Sequence, residues 1–335
     1  MVVASIAFRN FKALRNAQVR LAPLNLLIGP NGSGKTSLIQ SLLRLRTLAR
    51  LPLKPPTAEA DLKPDGPRIS VRFSPPFAGL EVVLSCVSDE QCDLLEITPA
   101  SAAGEDWPAL REQILGIRAY LLDHYAMALP SPRHDNAVLS SNGGNLAAVL
   151  ARWAVEVPQA YAAVRGEILR LLPEHDELLL LSRDGGTVEV ALRIRGTNQV
   201  AGAENLSQGT LYLLALALLA HDPLPPSLLC IEEVDRGIHP RRLRDVRDLM
   251  YRLSYPAATG EPARPAVQLV VTTHSPYLLD QFRDHPEEVV LAERHGPGAS
   301  FRRLSELEDL DALLGGASLG DIWYSGVLGG VPDEP

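Results

Sequence analysis

The sequence contains little cysteine, and the spacing of the few cysteines excludes most cysteine chemistry. Three occur among 335 residues, at Cys86, Cys92 and Cys230. None forms a C-x-x-C pair, so the sequence offers neither a zinc hook nor the disulfide framework of a small secreted domain. All three lie in apolar, strand-like stretches. We therefore expect buried thiols in a protein of the reducing cytosol.

Signals for export and for membrane insertion are also missing. The first residues, MVVASIAFRNFKALRN, lack the basic start and the long apolar centre of a signal peptide. Apolar runs such as Leu211–Ala220 are too short to cross a bilayer. We expect a cytoplasmic protein without a membrane partner.

Basic residues are fewer than acidic residues, which gives a formal net charge of −8, and only four of the basic residues are lysines. This balance excludes a globally basic nucleic-acid coat but leaves room for a local basic patch. Arginine supplies the other basic residues, which makes Lys35 stand out. The hydrophobic fraction of 46% and the charged fraction of 21% are those of an ordinary soluble globular protein.

Apolar spacing and turn residues predict alternating strands and helices. The predicted strands are residues 3–9, 18–28, 68–74, 79–87, 92–98, 177–182, 187–195, 227–232, 267–273 and 288–293. The predicted helices are residues 35–48, 107–128, 144–172, 204–221 and 240–254. The first helix places leucines on one face, at Leu38, Leu42, Leu45 and Leu48.

The order of these elements predicts an α/β core that is built from two pieces of the chain. Residues 51–67 are rich in proline and are interpreted as a connector. We expect an ATPase core of residues 1–48 and 204–335. A mixed β/helical insert of residues 49–203 would lie between these two pieces.

A glycine-rich loop separates the strand that ends at Ile28 from the first helix. It matches G-x-x-x-x-G-K-[ST], the P-loop pattern, which occurs by chance in roughly one chain in a hundred of this length. Glycines let backbone N–H groups turn toward phosphate oxygens, and the helix offers its positive end to the same anion. Lys35 would reach the β- and γ-phosphates of ATP, and the Thr36 hydroxyl would coordinate Mg²⁺. The predicted ATP-binding residues are Gly29, Pro30, Asn31, Gly32, Ser33, Gly34, Lys35, Thr36 and Ser37.

An apolar strand, Ser227–Ile231, ends in the two acids Glu232 and Glu233. This is the Walker B pattern, in which the first acid holds Mg²⁺ and the second polarises the attacking water. Most such sites have aspartate first, so the metal contact of Glu232 does not follow from the pattern alone. The competing interpretation is a charged helix start after a strand, which the P-loop disfavours.

The residues Leu206–Gly209 read L-S-x-G and precede a long apolar helix. This matches the ABC signature, which faces the γ-phosphate bound to the other subunit. Ser207, Gln208 and Gly209 would then act in trans. Four residues are weak evidence alone, because a helix N-cap explains Ser207 equally well. Their position ahead of the Walker B strand favours the signature.

The remaining nucleotide-site residues follow in the expected order along the chain. His274 ends a predicted strand, where ABC ATPases have the switch histidine that contacts the γ-phosphate. Asp235 falls where a D-loop begins, and His239 is interpreted as a structural residue before the next helix. No Q-loop glutamine is assigned, since Gln91 and Gln113 are both compatible with that role.

Together these motifs resemble those of compact ABC-type ATPases of bacteria, related to RecF, SMC proteins and the ATPase half of OLD proteins, and named AAA family P-loop ATPases. The resemblance covers nearly the whole chain, and Glu-Glu is usual at Walker B in this group. It implies an ABC-type ATPase head with an antiparallel β-subdomain and a helical insert. The segments that carry it are FRNFKALRNAQVRLAPLNLLIGPNGSGKTSLIQSL, SSNGGNLAAVLARW, LSQGTLYLLAL, LLCIEEVDRGIHPRRL, VVTTHSPYLLD and LGDIWYSGVLGGVP.

The resemblance also implies a head-to-tail homodimer with two ATP molecules and Mg²⁺ in its interface, and leaves a higher oligomer open. One chain would contribute the P-loop, the Walker B acids and the switch histidine, and the other chain the signature. In relatives, closing and opening of this dimer moves DNA or licenses a partner protein. The residues of one composite site would be Lys35, Thr36, Glu232, Glu233 and His274 of one chain with Ser207 and Gly209 of the other.

What the sequence lacks narrows the expected role. It has no sustained heptads for the long arms of SMC proteins, and the roughly sixty residues after His274 are too few for the nuclease domain of OLD proteins. We expect an ATPase that regulates a DNA-acting or nuclease- or toxin-like partner in anti-phage defence. The alternative is a RecF-like DNA repair ATPase, in which residues 241–244 touch phosphate rather than form a solvated helix face. A transporter subunit is disfavoured by Glu-Glu and by the RecF-like start.

Overall fold

The computed structural model of the protein describes residues 2–53, 65–101, 104, 106–133, 138–296, 298–308, 310 and 314–328. The chain divides into two units by the contacts between its residues. The first unit is Met1–Ala119, Pro226–Cys230 and Ala266–Pro335, and the second is Tyr120–Pro225 and Ile231–Pro265. The core and insert expected from motif positions, with a boundary near residue 204, stay a prediction.

The described strands form three sheets. In chain order the strands are β1 (Val3–Phe11), β2 (Leu14–Arg20), β3 (Leu24–Ile28), β4 (Arg68–Phe73), β5 (Glu81–Cys86), β6 (Cys92–Thr98), β7 (Ile117–Tyr120), β8 (Ser131–Pro132), β9 (His175–Arg183), β10 (Thr187–Ile194), β11 (Val200–Gly202), β12 (Leu228–Ile231), β13 (Gln268–Thr272), β14 (Val289–His295) and β15 (Gly298–Arg303).

The described helices are short to medium in length. None of them is long and apolar enough to cross a membrane. In chain order they are α1 (Lys35–Ala49), α2 (Trp107–Leu115), α3 (His124–Ala128), α4 (Leu146–Glu156), α5 (Pro158–Leu171), α6 (Gln208–Ala220), α7 (Leu243–Ser254), α8 (Pro276–Asp280) and α9 (Leu319–Tyr324). The predicted leucine face of α1 is confirmed, since all four leucines are buried.

The first unit contains two sheets. One has the order β2-β1-β4-β5-β6, and its described pairings are all antiparallel. The other has the order β15-β14-β3-β13-β12-β7, and β3 runs parallel to both of its neighbours, β13 and β14. Every residue of β3 is buried, as expected for a central parallel strand. The predicted α/β class with an antiparallel β-subdomain is confirmed.

The second unit joins a small sheet to several helices. Strand β10 pairs antiparallel with β8, β9 and β11. The helix α6 is buried almost all round, because it has leucine or alanine at most of its positions. Helix α7 instead has one apolar side, with Val246, Leu249 and Leu253 buried.

A buried glutamine joins the two sheets of the first unit. The side chain of Gln268, the first residue of β13, is 1% exposed. Its Oε1 accepts hydrogen bonds from the N–H groups of Val2 and Val3 at 3.0 and 2.9 Å. Its Nε2 donates to the carbonyls of Val3 and Ala22 at 2.8 and 3.1 Å. The start of β1 is therefore attached directly to the start of β13.

A buried asparagine makes a related set of bonds at the start of β3. The Nδ2 of Asn25 donates to the carbonyls of Ala22 and Leu269 at 2.7 and 2.9 Å, and its Oδ1 accepts from the N–H of Ala22 at 2.8 Å. These bonds hold a turn before Asn25. The prediction of one strand over residues 18–28 is therefore wrong, because the turn separates β2 from β3.

Two long helices of the prediction are also interrupted. The segment 107–128 contains α2, β7 and α3, because residues Ile117–Tyr120 join the edge of the six-stranded sheet. The segment 144–172 divides into α4 and α5 at Val157-Pro158, where proline occupies the first turn of the second helix. The strands β8, β11 and β15 were not predicted.

Two of the three cysteines are not the thiols that the sequence predicted. Cys86 and Cys92 are opposite each other in the β5–β6 pair and form a disulfide. The turn of residues 87–91 brings them into register, which a spacing of six does not reveal. Cys230 is free and buried, as expected. Cysteine usage therefore no longer argues for a reducing compartment, and the cytoplasmic location stays a prediction.

A buried carboxylate in the second unit lies close to two arginines and a histidine. Glu167 of α5 is 8% exposed, and its oxygens lie 2.8 Å from Arg170, 2.7 Å from Arg252 of α7 and 3.5 Å from His221. Burial alone would raise the pKa of Glu167, but His221, Arg170 and Arg252 outweigh it and hold this pKa well below its usual range.

Replacing this carboxylate tests its contribution to stability. We expect Glu167→Gln to lower the free energy of unfolding by about 1.5–3 kcal/mol at pH 7, because the buried group loses its charge-assisted hydrogen bonds to Arg170 and Arg252, which keep Asp245 and Glu261 as partners. Because the folded-state pKa is depressed, the contribution is complete above the unfolded value and declines as pH falls below it. The variant should therefore lose less stability on acidification than the parent. Urea unfolding can be followed by Trp153 in a background where Trp107 and Trp323 are phenylalanine.

A matched control uses an exposed ion pair on the neighbouring helix α4. Glu156 lies 2.6 Å from Arg152, and both side chains are well exposed. Glu156→Gln should change the unfolding free energy by about 0.5 kcal/mol or less. Equal losses in the two variants would contradict a special role for Glu167.

Candidate nucleotide-binding site

The loop between β3 and α1 has a backbone path that glycine alone takes without strain. Gly29, Gly32 and Gly34 have φ angles of 149°, 77° and 94°. A Cβ at Gly29 would lie 2.1 Å from the carbonyl oxygen of Ala292. The pattern requires Gly29 and Gly34, and the backbone geometry adds Gly32, which occupies a variable position of the pattern.

The polar groups of this loop are suited to an anion. Lys35 is 7% exposed, and its Nζ donates to the carbonyls of Gly29 and Pro30 at 2.7 and 2.9 Å. The Ser33 hydroxyl is buried and lacks a hydrogen-bond partner among the described residues. The first turn of a helix also leaves N–H groups without helical partners. A phosphate would supply acceptors for the ammonium, the hydroxyl and these N–H groups, so the loop fits a nucleotide phosphate.

His274 belongs to the same sheet edge as this loop. In the parallel pair of β3 and β13, Leu27 is opposite Thr272, and the N–H of Thr273 donates to the carbonyl of Leu27 at 3.2 Å. The loop follows β3 directly, and His274 follows β13. The structure therefore brings the P-loop and the predicted switch histidine to the carboxyl ends of neighbouring parallel strands, where α/β sheets bind ligands.

The helix after His274 is supported by the tail segment. The N–H of Gly320 in α9 donates to the Asp280 carboxylate of α8 at 2.7 Å. A Cβ at Gly320 would lie 2.5 Å from the carbonyl oxygen of Pro276, so the two helices pack closely. Sequence reasoning did not identify Asp280 or Gly320. The available signal was the tail LGDIWYSG, which carries part of the family resemblance but has no motif of its own.

The two Walker B acids belong to the second unit and follow β12. The N–H of Glu232 donates to the carbonyl of Tyr120 at 2.9 Å. Glu233 has a φ angle of 49°, a left-handed conformation that is unusual for a residue with a Cβ. Such strain costs of order 1–3 kcal/mol and occurs often at functional sites. The Glu233 carboxylate is partly exposed and lies 3.4 Å from Arg236, so it remains accessible as a proton acceptor.

The predicted signature begins helix α6 as a helix cap. Ser207 is exposed, and its Oγ accepts from the N–H of Thr210 at 3.1 Å, so it is an N-cap. A Cβ at Gly209 would lie 2.3 Å from the carbonyl oxygen of Gly237, in the loop that follows Asp235. The signature and the predicted D-loop therefore touch backbone to backbone within one chain. Gly237 was missed by sequence reasoning, because this contact joins distant residues.

The other residues considered in the sequence are His239, Gln91 and Gln113. His239 is structural as predicted, since its Nδ1 accepts from the N–H of Arg241 at 3.2 Å before α7. Gln91 lies in the turn between β5 and β6, and Gln113 lies in α2. Their positions do not decide between them for a Q-loop, and that assignment stays open.

The predicted Mg²⁺ ligands are the Thr36 hydroxyl and the Glu232 carboxylate. No group of three or more His, Cys, Asp or Glu side chains that could hold a metal occurs in the described parts of the chain. A nucleotide-bound Mg²⁺ does not require one, because phosphate oxygens and water fill most of its positions. Oxygen donors are the type that this hard cation prefers.

Comparison with known proteins identifies the family. Residues 24–280 match the family described as "AAA domain, putative AbiEii toxin, Type IV TA system". The chain belongs to this family. The match runs from the first residue of β3 to the last residue of α8, so it includes the P-loop, the signature, the Walker B acids and His274. No curated protein matches the chain in sequence.

Solved head domains of SMC proteins have a similar fold. The SMC head bound to the C-winged helix domain of ScpA has a TM-score of 0.61 at 14% identity, and the match covers 91% of this chain and 99% of that one. The Smc head with an extended coiled coil, bound to the C-terminal domain of ScpA from Pyrococcus furiosus, has a TM-score of 0.58 at 12% identity and covers 94% and 98%. The SMC head from Thermotoga maritima has a TM-score of 0.52 at 12% identity and covers 90% and 99%.

At these identities the likeness shows the fold alone. Together with the family, it confirms the predicted SMC-like P-loop ATPase of the AAA group. The bacterial origin stays a prediction.

The close contact of the signature with the D-loop can be tested with two glycines of the second unit. Gly209→Ala should lower the free energy of unfolding by about 1–3 kcal/mol, because the added methyl meets the Gly237 carbonyl. Gly166→Ala in α5 is the control, since a Cβ there meets nothing within 4 Å. It should raise stability by about 0.5–1 kcal/mol. Trp153 fluorescence reports both, and a neutral Gly209→Ala would refute the close contact.

Proposed function

We propose that the protein binds and hydrolyses ATP, forms an ATP-dependent homodimer, and thereby regulates a DNA-acting or nuclease- or toxin-like partner in anti-phage defence. The observation that carries the ATP-binding part is the P-loop. Its glycine-only backbone, its buried Lys35 ammonium and its unpaired Ser33 hydroxyl suit a nucleotide phosphate.

Each predicted residue of the nucleotide site has its own role in ATP binding or hydrolysis. Lys35 and the N–H groups of the loop bind the β- and γ-phosphates, and Thr36 and Glu232 would hold Mg²⁺, which offsets phosphate charge when bound. Glu233 accepts a proton from the attacking water. His274, next to the loop at the edge of the sheet, orients the γ-phosphate.

Dimerisation is supported by the exposed start of α6. Ser207, the exposed cap of this 13-residue helix, lies at its positive end, while Gly209 in the first turn is buried. A γ-phosphate bound to a second copy of the chain would satisfy this end. Asp235 in the D-loop, next to Gly237, would lie at the same interface. Stacked dimers remain compatible with this arrangement.

The partner role is supported by the SMC heads. The family description, which reads "putative AbiEii toxin, Type IV TA system", connects the family with toxin systems and names no separate partner. Two of the similar SMC heads are complexes with ScpA, so heads of this fold accept a protein partner. A RecF-like repair function is the alternative, and the exposed Arg241 and Arg244 around the start of α7 favour it.

Glu233→Gln tests the catalytic assignment. We expect ATP binding to remain, hydrolysis to fall by about two to four orders of magnitude, and the closed dimer to accumulate. Steady-state phosphate release and light scattering after gel filtration measure these effects. Glu287→Gln, at an exposed carboxylate, is the control and should behave like the parent. Hydrolysis within about tenfold of the parent would remove the role of Glu233.

Lys35→Ala tests the phosphate assignment. Loss of a charged donor to phosphate should weaken ATP binding by about 1.5–3 kcal/mol, or roughly ten- to hundredfold. Calorimetric titration with a non-hydrolysable ATP analogue measures the affinity. Lys12→Ala, in the turn between β1 and β2, removes the same charge elsewhere and should leave affinity unchanged. An unchanged affinity of Lys35→Ala would exclude the assignment.

The partner is best sought with the trapped dimer. Tagged Glu233→Gln with ATP, recovered from the native cell and read by mass spectrometry, should bring down a nuclease or toxin-like protein. Recovery of recombination proteins with DNA would move the function to repair. A homodimer without any companion would contradict regulation of a partner in trans under the conditions used.

A further inference from the structure

The five-stranded sheet of the first unit has one buried side and one open side. The buried side contributes Ile6, Phe8, Val71 and Leu84 to the core. On the open side, strand register aligns side chains of β2, β1 and β4 in three rows. We call these nine residues the arginine face: Arg20, Ser5 and Arg72; Gln18, Ala7 and Ser70; Asn16, Arg9 and Arg68.

The arginine face concentrates positive charge on a negatively charged protein. Its four arginines are exposed, and it contains no acid, whereas the whole chain has a net charge of −8. Arg9 pairs with Asp65 at 3.1 Å and Arg72 with Glu81 at 3.5 Å. Both arginine side chains remain more than half exposed. Within the described residues, Arg20 and Arg68 make no ion pair.

One pairing on this face places two like charges opposite each other. Arg9 is directly opposite Arg68 in the antiparallel register. Like charges at opposed positions repel, whereas an acid at either position would be favourable. Local departures from the most stable arrangement are typical of functional surfaces. Phosphates placed over this pair would remove the repulsion.

The dimensions of the face suit a nucleic-acid backbone. Arg68 and Arg72 are four residues apart on one strand, which is about 13 Å, and Arg20 and Arg72 are two strands apart, which is about 10 Å. These spans are comparable to the major groove of B-DNA, about 12 Å wide. Small residues between the arginines, Ser5 and Ala7, allow a phosphate backbone to approach the sheet.

The composition of the face favours duplex over single-stranded nucleic acid. Sheets that bind single strands present aromatic side chains on which bases stack. None of the nine residues is aromatic. Arginine, asparagine, glutamine and serine side chains are instead the groups that contact phosphate and sugar without reading sequence.

A cavity of about 220 Å³ extends the positive surface at the β2 edge. Gln18 and Arg20 of the arginine face line it, together with Arg302 and Arg303 of β15 and the acid Glu306. Arg302 pairs with Glu293, and Arg303 donates to the side chain of Asn25, so both are held in place. The cavity thus gives a further phosphate access to Arg20.

We propose that the arginine face binds the phosphate backbone of duplex DNA without reading its sequence. This DNA contact belongs to the ATPase itself and so deepens the proposed function. The proposal rests on that function in one respect, which is that the regulated process involves DNA. It assigns DNA to the first unit, rather than to residues 241–244 of the second.

The test removes the two arginines that lack an ion pair. Anisotropy of a labelled 30-base-pair duplex of mixed sequence is measured with the full chain, without nucleotide, between 50 and 200 mM NaCl. Arg20→Gln/Arg68→Gln should weaken binding about tenfold per arginine near 0.1 M salt. It should also reduce the slope of log affinity against log salt by about two. Its melting temperature should not fall, because the Arg9–Arg68 repulsion is removed.

The control Arg165→Gln/Arg241→Gln removes the same charge from exposed positions of the second unit. It should bind DNA like the parent, and an equal loss in this control would overturn the proposal. Tighter binding of a single strand of equal length would also overturn it. A parent protein that binds no duplex would overturn it too. The same holds if Arg20→Gln/Arg68→Gln abolishes a self-association of the protein but leaves duplex binding unchanged.

Two further measurements on the double variant distinguish failure of the arginine face from failure of the proposed function. ATP hydrolysis and ATP-dependent dimerisation of Arg20→Gln/Arg68→Gln should match the parent. One outcome is that the parent fails to dimerise with ATP while the double variant binds duplex more weakly than the parent. In that case the proposed function fails and the arginine face stands. If ATP-driven dimerisation holds and the double substitution binds duplex normally, the arginine face fails alone.

Discussion

The four hydrogen bonds of the buried Gln268 amide are the constraint on which the rest of the first unit depends. They attach the start of β1 and the turn at Ala22 to the start of β13. Asn25 then attaches the start of β3 to Leu269 of the same strand. With both strands fixed at their beginnings, their ends are fixed too, because a strand has a constant rise per residue. This register brings the P-loop and His274 to the same edge of the sheet, and the close approach of Gly29 to Ala292 fixes the loop further.

The parts of the site that were predictable are those whose physics is local. A P-loop needs glycines, a lysine and a helix start within eight residues, so a short pattern contains all of it. The leucine face of α1 follows from helical spacing in the same way. The β7 strand and the Gly209–Gly237 contact could not be predicted, since each depends on residues far away in sequence. The Asn25 turn was missed although its bonds to Ala22 are local, because the apolar residues on both sides of it read as one strand. Cys86 and Cys92 show the same limit on a smaller scale, because only the strand register brings them together.

The residues that stabilise this protein differ from those that are proposed to bind its ligands. The buried Glu167 is surrounded by His221, Arg170 and Arg252, so its charge is compensated. Glu233 has a strained backbone, and Arg9 faces Arg68, so these places lose stability. Such local losses are small beside the burial of a core that runs through β3 and α1. An anionic ligand over Arg9 and Arg68 would remove the second of these losses.

The bond between Asn25 and Leu269 spans 244 positions of the chain. During synthesis, β3 leaves the ribosome long before β13 and β14, which are its two neighbours in the sheet. Until then this largely apolar strand has no edge to pair with, although the whole P-loop sequence is already present. A nascent or truncated chain that ends before Gln268 therefore carries the P-loop sequence without the two parallel strands that flank β3 and position it.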